Sequence, residues 1–142
     1  MQRRSLLLAP LAWLIARPAL AHSFKLGTIE IGHPWAKPAV TGKAAVFLAL
    51  ANEGPNTDRL IGGSSPMAAG TAICAADGSV LKEIMLLPHR PVAFRPGGKY
   101  IALDGLKRAL TVGEFFPLTL RFAKAGETTV KVIVENAPAE QG

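Results

Sequence analysis

The side chains of this sequence that could carry chemistry are soft metal ligands. Apart from Met1, the chain holds three histidines, two methionines and one cysteine: His22, His33, Met67, Cys74, Met85 and His89. Thioether, imidazole and thiolate donors suit Cu(I), because soft donors match a soft ion. Each type also has an ordinary structural role, since methionine fills gaps in cores and a lone cysteine packs as a small hydrophobe. Residue types alone are therefore compatible with a copper site but do not establish one.

Other kinds of active site find little support in the sequence. The chain lacks a G-x-S-x-G nucleophile elbow, an H-E-x-x-H zinc motif and a P-loop. Asp58, Asp77 and Asp104 lie beside glycines or in turn-like segments, where aspartate usually bonds its own backbone. Because no nucleophile is paired with a base, we predict that the protein is not an enzyme.

The composition indicates one compact domain. The chain has 142 residues, of which 49% are hydrophobic and 18% charged, and this composition argues against a disordered protein. A single cysteine excludes a disulfide scaffold and a cysteine-rich zinc site. The net charge of +6 would suit a nucleic-acid partner, but the basic residues are spread along the chain without a cluster. We therefore predict no nucleic-acid partner.

The first 21 residues have the pattern of a signal peptide. Arg3 and Arg4 precede an uncharged, mostly apolar run over residues 5–16, and the small-residue sequence Ala19-Leu20-Ala21 follows. This pattern predicts cleavage after Ala21, export by the Sec or the twin-arginine route, and a periplasmic or otherwise exported protein. Cleavage would leave 13 basic and 10 acidic side chains, a net charge of +3. No apolar stretch in residues 22–142 is long enough to predict an integral membrane span.

The elements that would position these ligands are predicted to be strands. Alternating or continuous apolar patterns are separated by turn sequences rich in glycine, proline and asparagine. Seven or eight short strands in about 120 residues predict an all-β sandwich or Greek-key barrel. The candidate strands cover residues 24–31, 44–51, 71–75, 80–86, 92–94, 100–103, 118–122 and 130–135.

Five segments in the same order resemble the PCu(A)C family of exported copper chaperones. The resemblance covers nearly all of residues 22–142 and implies a cupredoxin-like Greek-key β-sandwich that handles copper. It also implies a copper-receiving partner, such as an oxidase assembly factor. The matching segments are residues 29–38, 43–52, 58–66, 95–106 and 116–126.

The resemblance places the family's copper ligands on residues of other types. The family uses a His-x-Met pair, a further methionine and a second His-x-Met pair. Counted along this chain, these positions fall on Cys74 and Ala76, near Glu83, and on Tyr100 and Ala102. Of these side chains, Cys74 alone is a soft donor. The family copper site is therefore expected to be degenerate.

Two rebuilt copper sites remain candidates. Cys74 could bind Cu(I) together with Met85 and His89, because two or three soft donors suffice for this ion. The alternative lies at the N-terminus of the processed chain, where His22 would offer an α-amine and an imidazole to Cu(II), with His33 completing the site. If neither binds copper, the scaffold is expected to be a metal-free binding or assembly-partner module.

Overall fold

The computed structural model describes residues 23–136, and these form an all-β domain of eleven strands. The predicted signal peptide, His22 and residues 137–142 lie outside the described part. The strands are β1 Ser23–Leu26, β2 Ile29–Ala36, β3 Lys43–Asn52, β4 Asp58–Ser64, β5 Ala68–Cys74, β6 Val80–Leu81, β7 Ile84–Leu86, β8 Val92–Phe94, β9 Tyr100–Leu106, β10 Phe115–Phe122 and β11 Gly126–Val134.

The strands form one nearly closed sheet that wraps around a single core. Its path runs β6-β5-β9-β3-β2-β11-β10-β4-β7, while β1 pairs with β2 and β8 with β3. The non-sequential neighbours within this path give the crossing connections of a Greek key. The core is filled by buried side chains from most of the strands, with Leu50, Leu103, Leu118 and Val132 fully buried. The predicted all-β, cupredoxin-like sandwich is confirmed.

Several strand boundaries differ from the predicted ones. The strand segment predicted over residues 24–31, with a break at Gly27, is a hairpin, because Gly27 adopts a positive φ of 59° and turns the chain between β1 and β2. The strand predicted over residues 80–86 is divided between β6 and β7. No strand is predicted over residues 58–64, where β4 lies.

Two buried polar residues hold the connections in place. The Asn52 side-chain amide donates to the carbonyls of Asn56 and Leu86, and its oxygen accepts from the backbone N–H of Gly54. The Asp58 carboxylate accepts from the backbone N–H groups of Arg59, Lys124 and Ala125. These bonds satisfy loop groups that burial would otherwise leave without partners.

Candidate functional site

The β5–β9 pair brings together three of the positions at which the resemblance places copper ligands, Cys74, Tyr100 and Ala102. Cys74 is the direct antiparallel partner of Tyr100, and Ala72 is that of Ala102. Ile73 and Ile101 are buried in the core cluster between them. Since side chains alternate along a strand, Cys74, Tyr100 and Ala102 face away from this core.

A cavity of about 330 Å³ lies on this outer face of β5, β9 and β3. Four of its ten lining residues are alanines. Cys74 and Tyr100 lie at one end of the β5–β9 ladder and Asp104 lies near the other. The lining residues are Lys43, Ala44, Ala45, Ala72, Cys74, Gly78, Val80, Tyr100, Ala102 and Asp104.

Cys74 is buried, with 4% of its surface exposed, and it is a free thiol. Desolvation raises the pKa of the Tyr100 hydroxyl above its ordinary value of 10.0, and interaction with Cys74 raises it further. The turn after β5 lies beside this hydroxyl. A Cβ at Gly78, which has a φ of 91°, would lie 3.6 Å from the Tyr100 oxygen, an ordinary contact distance.

An ion pair borders the other end of the cavity. Lys43 Nζ lies 3.7 Å from Asp104 Oδ1. That carboxylate oxygen is shielded from solvent and has no hydrogen-bond partner among the described residues. The cavity therefore has alanines between the Cys74–Tyr100 pair at one end and the Asp104 carboxylate at the other.

Besides Tyr100, three of the mapped copper positions cannot supply a soft donor in this geometry. Ala76 and Ala102 have no donor atom. Glu83 is engaged by Arg59, whose Nη1 lies 2.7 Å from Glu83 Oε1. Within residues 23–136 the structure contains no group of three or more His, Cys, Asp and Glu side chains that could hold a metal ion.

The structure does not place Met85 or His89 among the residues that line the Cys74 cavity. Met85 lies on β7, which pairs with β4, and 52% of its surface is exposed. His89 follows β7 in a left-handed conformation with a φ of 59°, and its Nδ1 lies 3.3 Å from Glu53 Oε1. Met67, by contrast, is part of the core cluster.

His33 lies in an irregular segment of β2 that the apolar strand pattern did not predict. The pairing of β2 with β3 shifts between Gly32 and Trp35, and His33 has a φ of 40°. Its Nε2 lies 2.9 Å from Glu135 Oε2, so a carboxylate after β11 contacts the ring. The proline that follows His33 was the one local signal of this irregularity, and it could not identify Glu135 as the partner.

Comparison with known proteins places this fold in a family. The family model described as “Putative lipoprotein LpqE-like” matches residues 29–134, which span β2 to β11. The chain belongs to this LpqE-like family, which is PCuAC-like. The predicted PCu(A)C resemblance is thereby confirmed. A curated relative from Leifsonia xyli subsp. xyli (strain CTCB07), “Putative lipoprotein Lxx21020”, is 27% identical over 76% of this chain and 70% of that protein.

Solved structures agree with this assignment of the LpqE-like chain. The copper-bound PCuAC domain from PmoF2 is 32% identical, with a TM-score of 0.75, over 82% of this chain and 99% of that domain. The apo PCuAC domain from PmoF1 is 27% identical, with a TM-score of 0.76, over 82% of this chain and all of that domain. Within residues 23–136, the structure contains no helix that is long and apolar enough to cross a membrane.

Proposed function

We propose that this chain is an exported copper-handling domain that carries copper to a receiving protein. The observation that supports this most strongly is its similarity to the copper-bound PCuAC domain from PmoF2 along almost the whole of that domain. The signal-peptide pattern of residues 1–21 supports export, and the relatives described as lipoproteins agree with it. The receiving protein would be a copper-enzyme assembly factor.

Cys74 is the donor that we propose for Cu(I). It lies at the mapped position of the first family histidine, and its thiolate is a strong soft ligand. Tyr100, its ladder partner, is a poor ligand for Cu(I), so further donors have to come from elsewhere. Met85 and His89 are exposed and remain the proposed further donors, which requires β7 and the following turn to approach the cavity.

The N-terminal site is a second candidate for copper, and one structural relationship favours it. β1 begins at Ser23, whose partner in the antiparallel ladder is Gly32, the residue before His33. The described part of β1 therefore begins one ladder position away from His33. Glu135 contacts the His33 ring, and such outer carboxylates commonly orient metal-binding histidines. Amine and imidazole donors suit Cu(II).

Copper titration of residues 22–142 tests both sites. We expect submicromolar binding of Cu(I) under reducing conditions or of Cu(II) without reductant, measured by competition with chromophoric chelators. Loss of Cu(I) binding in Cys74→Ala would assign the thiolate site. Met85→Leu and His89→Gln then test the further donors, with Met67→Leu as the control because Met67 is a core methionine.

The N-terminal site has its own control. One extra residue before His22 removes the α-amine chelate and leaves Cys74 unchanged, so loss of Cu(II) binding alone would assign this site. His33→Gln should weaken the same binding. If neither copper ion binds the unmodified N-terminus or Cys74, the copper-carrier proposal is wrong.

The cavity favours one alternative function, a binding module whose ligand is not a metal. Alanines at positions 72 and 102 leave open the space at which the resemblance places copper ligands, and Tyr100 and Asp104 offer polar contacts at its two ends. Ala102→Leu would fill this cavity. It should abolish binding of a small organic ligand found by thermal-shift screening while the protein still folds.

A further inference from the structure

The charged end of the cavity on β5, β9 and β3 is built from one row of cross-strand partners. Asp104 on β9 is the direct antiparallel partner of Lys43 on β3 and of Gly70 on β5. A Cβ at Gly70 would meet nothing within 4 Å. The Asp104 carboxylate therefore has Lys43 on one side and open space on the other.

The contact between these two charges is loose. Lys43 Nζ lies 3.7 Å from Asp104 Oδ1, which is longer than a hydrogen bond, and the lysine side chain is 81% exposed. Asp104 Oδ1 is shielded from solvent and has no hydrogen-bond partner among the described residues, so the 45% exposure of its side chain comes from the other atoms. Exposed ion pairs contribute little to stability, and a ligand can therefore separate this one at small cost.

The next outward-facing row of the cavity consists of alanines. Ala102 on β9 is the direct partner of Ala72 on β5 and of Ala45 on β3. Rows on one face of a sheet repeat every two residues, about 7 Å along the strand. Tyr100 belongs to the row after that, so its Cα lies roughly 13 Å along β9 from that of Asp104. The alanines leave the space between these two side chains for an apolar group.

The charged row and the alanine row together define the chemistry of a ligand. Asp104 can accept hydrogen bonds from an ammonium group while Lys43 donates to a carboxylate. A ligand with only one of these groups would be attracted by one side chain and repelled by the other. An α-amino acid carries both groups on one carbon atom, and its side chain extends away from them, here over the alanines.

We propose that this cavity binds a free α-amino acid with an apolar side chain, held by Asp104 at its ammonium group and by Lys43 at its carboxylate. The inference rests on the alternative function proposed above, a binding module for a ligand that is not a metal, and it names the ligand class. It uses neither the Cys74 thiol nor copper, so it is tested with metal-free protein.

The test is calorimetric titration of metal-free residues 22–142 with L-phenylalanine and three analogues. 2-Phenylethylamine lacks the carboxylate, 3-phenylpropanoate lacks the ammonium group, and glycine lacks the apolar side chain. We expect L-phenylalanine to bind and each analogue to bind at least about tenfold more weakly, because each loses a charge-assisted contact or the burial of the ring.

Two variants assign the charged contacts separately. Asp104→Asn should weaken binding of L-phenylalanine at least about tenfold and leave that of 3-phenylpropanoate no weaker, because the latter has no ammonium group. Lys43→Gln should weaken L-phenylalanine similarly and leave 2-phenylethylamine no weaker. Ala102→Leu should abolish binding of L-phenylalanine, because the added side chain occupies the space over the alanine row.

A second cross-strand ion pair provides matched controls. Lys25 on β1 is the direct partner of Glu30 on β2, with Nζ 3.4 Å from Oε2, and neither residue lines the cavity. Lys25→Gln and Glu30→Gln remove the same charges and should bind L-phenylalanine as the unchanged chain does. All variants should keep the circular dichroism spectrum of the unchanged chain.

The possible failures separate this inference from the function on which it rests. Binding of 2-phenylethylamine or 3-phenylpropanoate as tight as that of L-phenylalanine would overturn the amino-acid assignment, and so would equal losses in the cavity and control variants. If L-phenylalanine does not bind but another organic ligand does, and Ala102→Leu abolishes that binding, the binding module stands and only the amino-acid inference is wrong. If no organic ligand binds, both are wrong.

Discussion

Cys74 and Tyr100 lie directly opposite each other on β5 and β9, at the end of the cavity on the outer face of the sheet. This relationship joins two residues that are 26 positions apart in the chain. At the positions where the resemblance places two copper-binding histidines, this chain has a thiol and a phenol, and the neighbouring thiol adds to the rise in the pKa of the Tyr100 hydroxyl.

The first prediction concerns the titration of Tyr100. Burial and the neighbouring Cys74 disfavour the tyrosinate, so its pKa is raised above 10.0. Tyr100 is the only tyrosine in the chain, and its absorbance at about 295 nm reports ionisation without overlap from a second tyrosine. We expect a midpoint above 10, and Cys74→Ala should move it toward 10.

The same shift predicts a loss of stability in alkali. A raised pKa in the folded state means that the neutral phenol stabilises the fold fully below the unfolded pKa, and that this stabilisation is lost as pH rises through the folded pKa. Chemical unfolding from pH 9 upward should show a steeper decline for the unchanged chain than for Tyr100→Phe. Equal declines in stability for the two proteins, or a Tyr100 titration midpoint at or below 10, would contradict a raised pKa of Tyr100.

β10 and β11 show where the sequence pattern was sufficient to predict a strand. β10 and β11 alternate buried and exposed residues along most of their length, and the predictions over residues 118–122 and 130–135 fall mainly within them. The pattern over residues 80–86 also predicted one strand, but β6 pairs with β5 and β7 pairs with β4. Periodicity shows that a residue is buried and does not identify the partner strand.

β4 was not predicted because glycines usually weaken a strand. The structure supplies the reason for them. A Cβ at Gly62 would lie 2.6 Å from the Arg121 guanidinium, and one at Gly63 would lie 2.7 Å from the Thr119 carbonyl oxygen. The contact at Gly63 is with backbone, so β10 approaches β4 too closely for a side chain there, whereas at Gly62 the flexible Arg121 side chain would have to move. Such contacts between distant segments are not visible in a local sequence pattern, and neither is the contact of His33 with Glu135.

The second prediction concerns the buried carboxylate of Asp58. It is 5% exposed and accepts backbone hydrogen bonds from Arg59, Lys124 and Ala125. Asp58→Asn replaces one acceptor oxygen by a donor and leaves at least one buried N–H unsatisfied. We expect the free energy of unfolding to fall by about 2–3 kcal/mol in urea titration. Asp77→Asn, in the exposed β5–β6 turn, should have a smaller effect, and equal effects would contradict this role.

The third prediction concerns the pH dependence that Glu114 contributes. The backbone N–H of Thr111 and then the Arg108 guanidinium lower the pKa of this carboxyl below 4.5. The stability that the Glu114 carboxylate contributes to the fold is therefore present above its unfolded pKa and is lost as pH falls through its folded pKa. Glu114→Gln should lower Tm at pH 7, and the difference from the unchanged chain should shrink toward pH 3. A difference that stays constant with pH would indicate a packing effect and not a charge effect.

The last prediction tests the proposed correspondence between this cavity and a copper site. Tyr100→His with Ala102→Met would restore a His-x-Met pair on β9, and both side chains would face the outer side together with Cys74. Thiolate, imidazole and thioether would then surround one cavity and suit Cu(I). We expect affinity for Cu(I) at least tenfold higher than in the unchanged chain, measured by competition with a chromophoric chelator.

The control for this variant places the same pair on another strand. Thr119→His with Arg121→Met introduces a His-x-Met pair on β10, where Thr119 Oγ1 and Thr129 Oγ1 lie 2.8 Å apart and no cysteine lies on the partner strands. This variant should bind Cu(I) no more tightly than the unchanged chain. Adding Cys74→Ala to the β9 variant should remove the gain. If the gain persists without Cys74, or appears equally on β10, the correspondence between the cavity and a copper site is wrong.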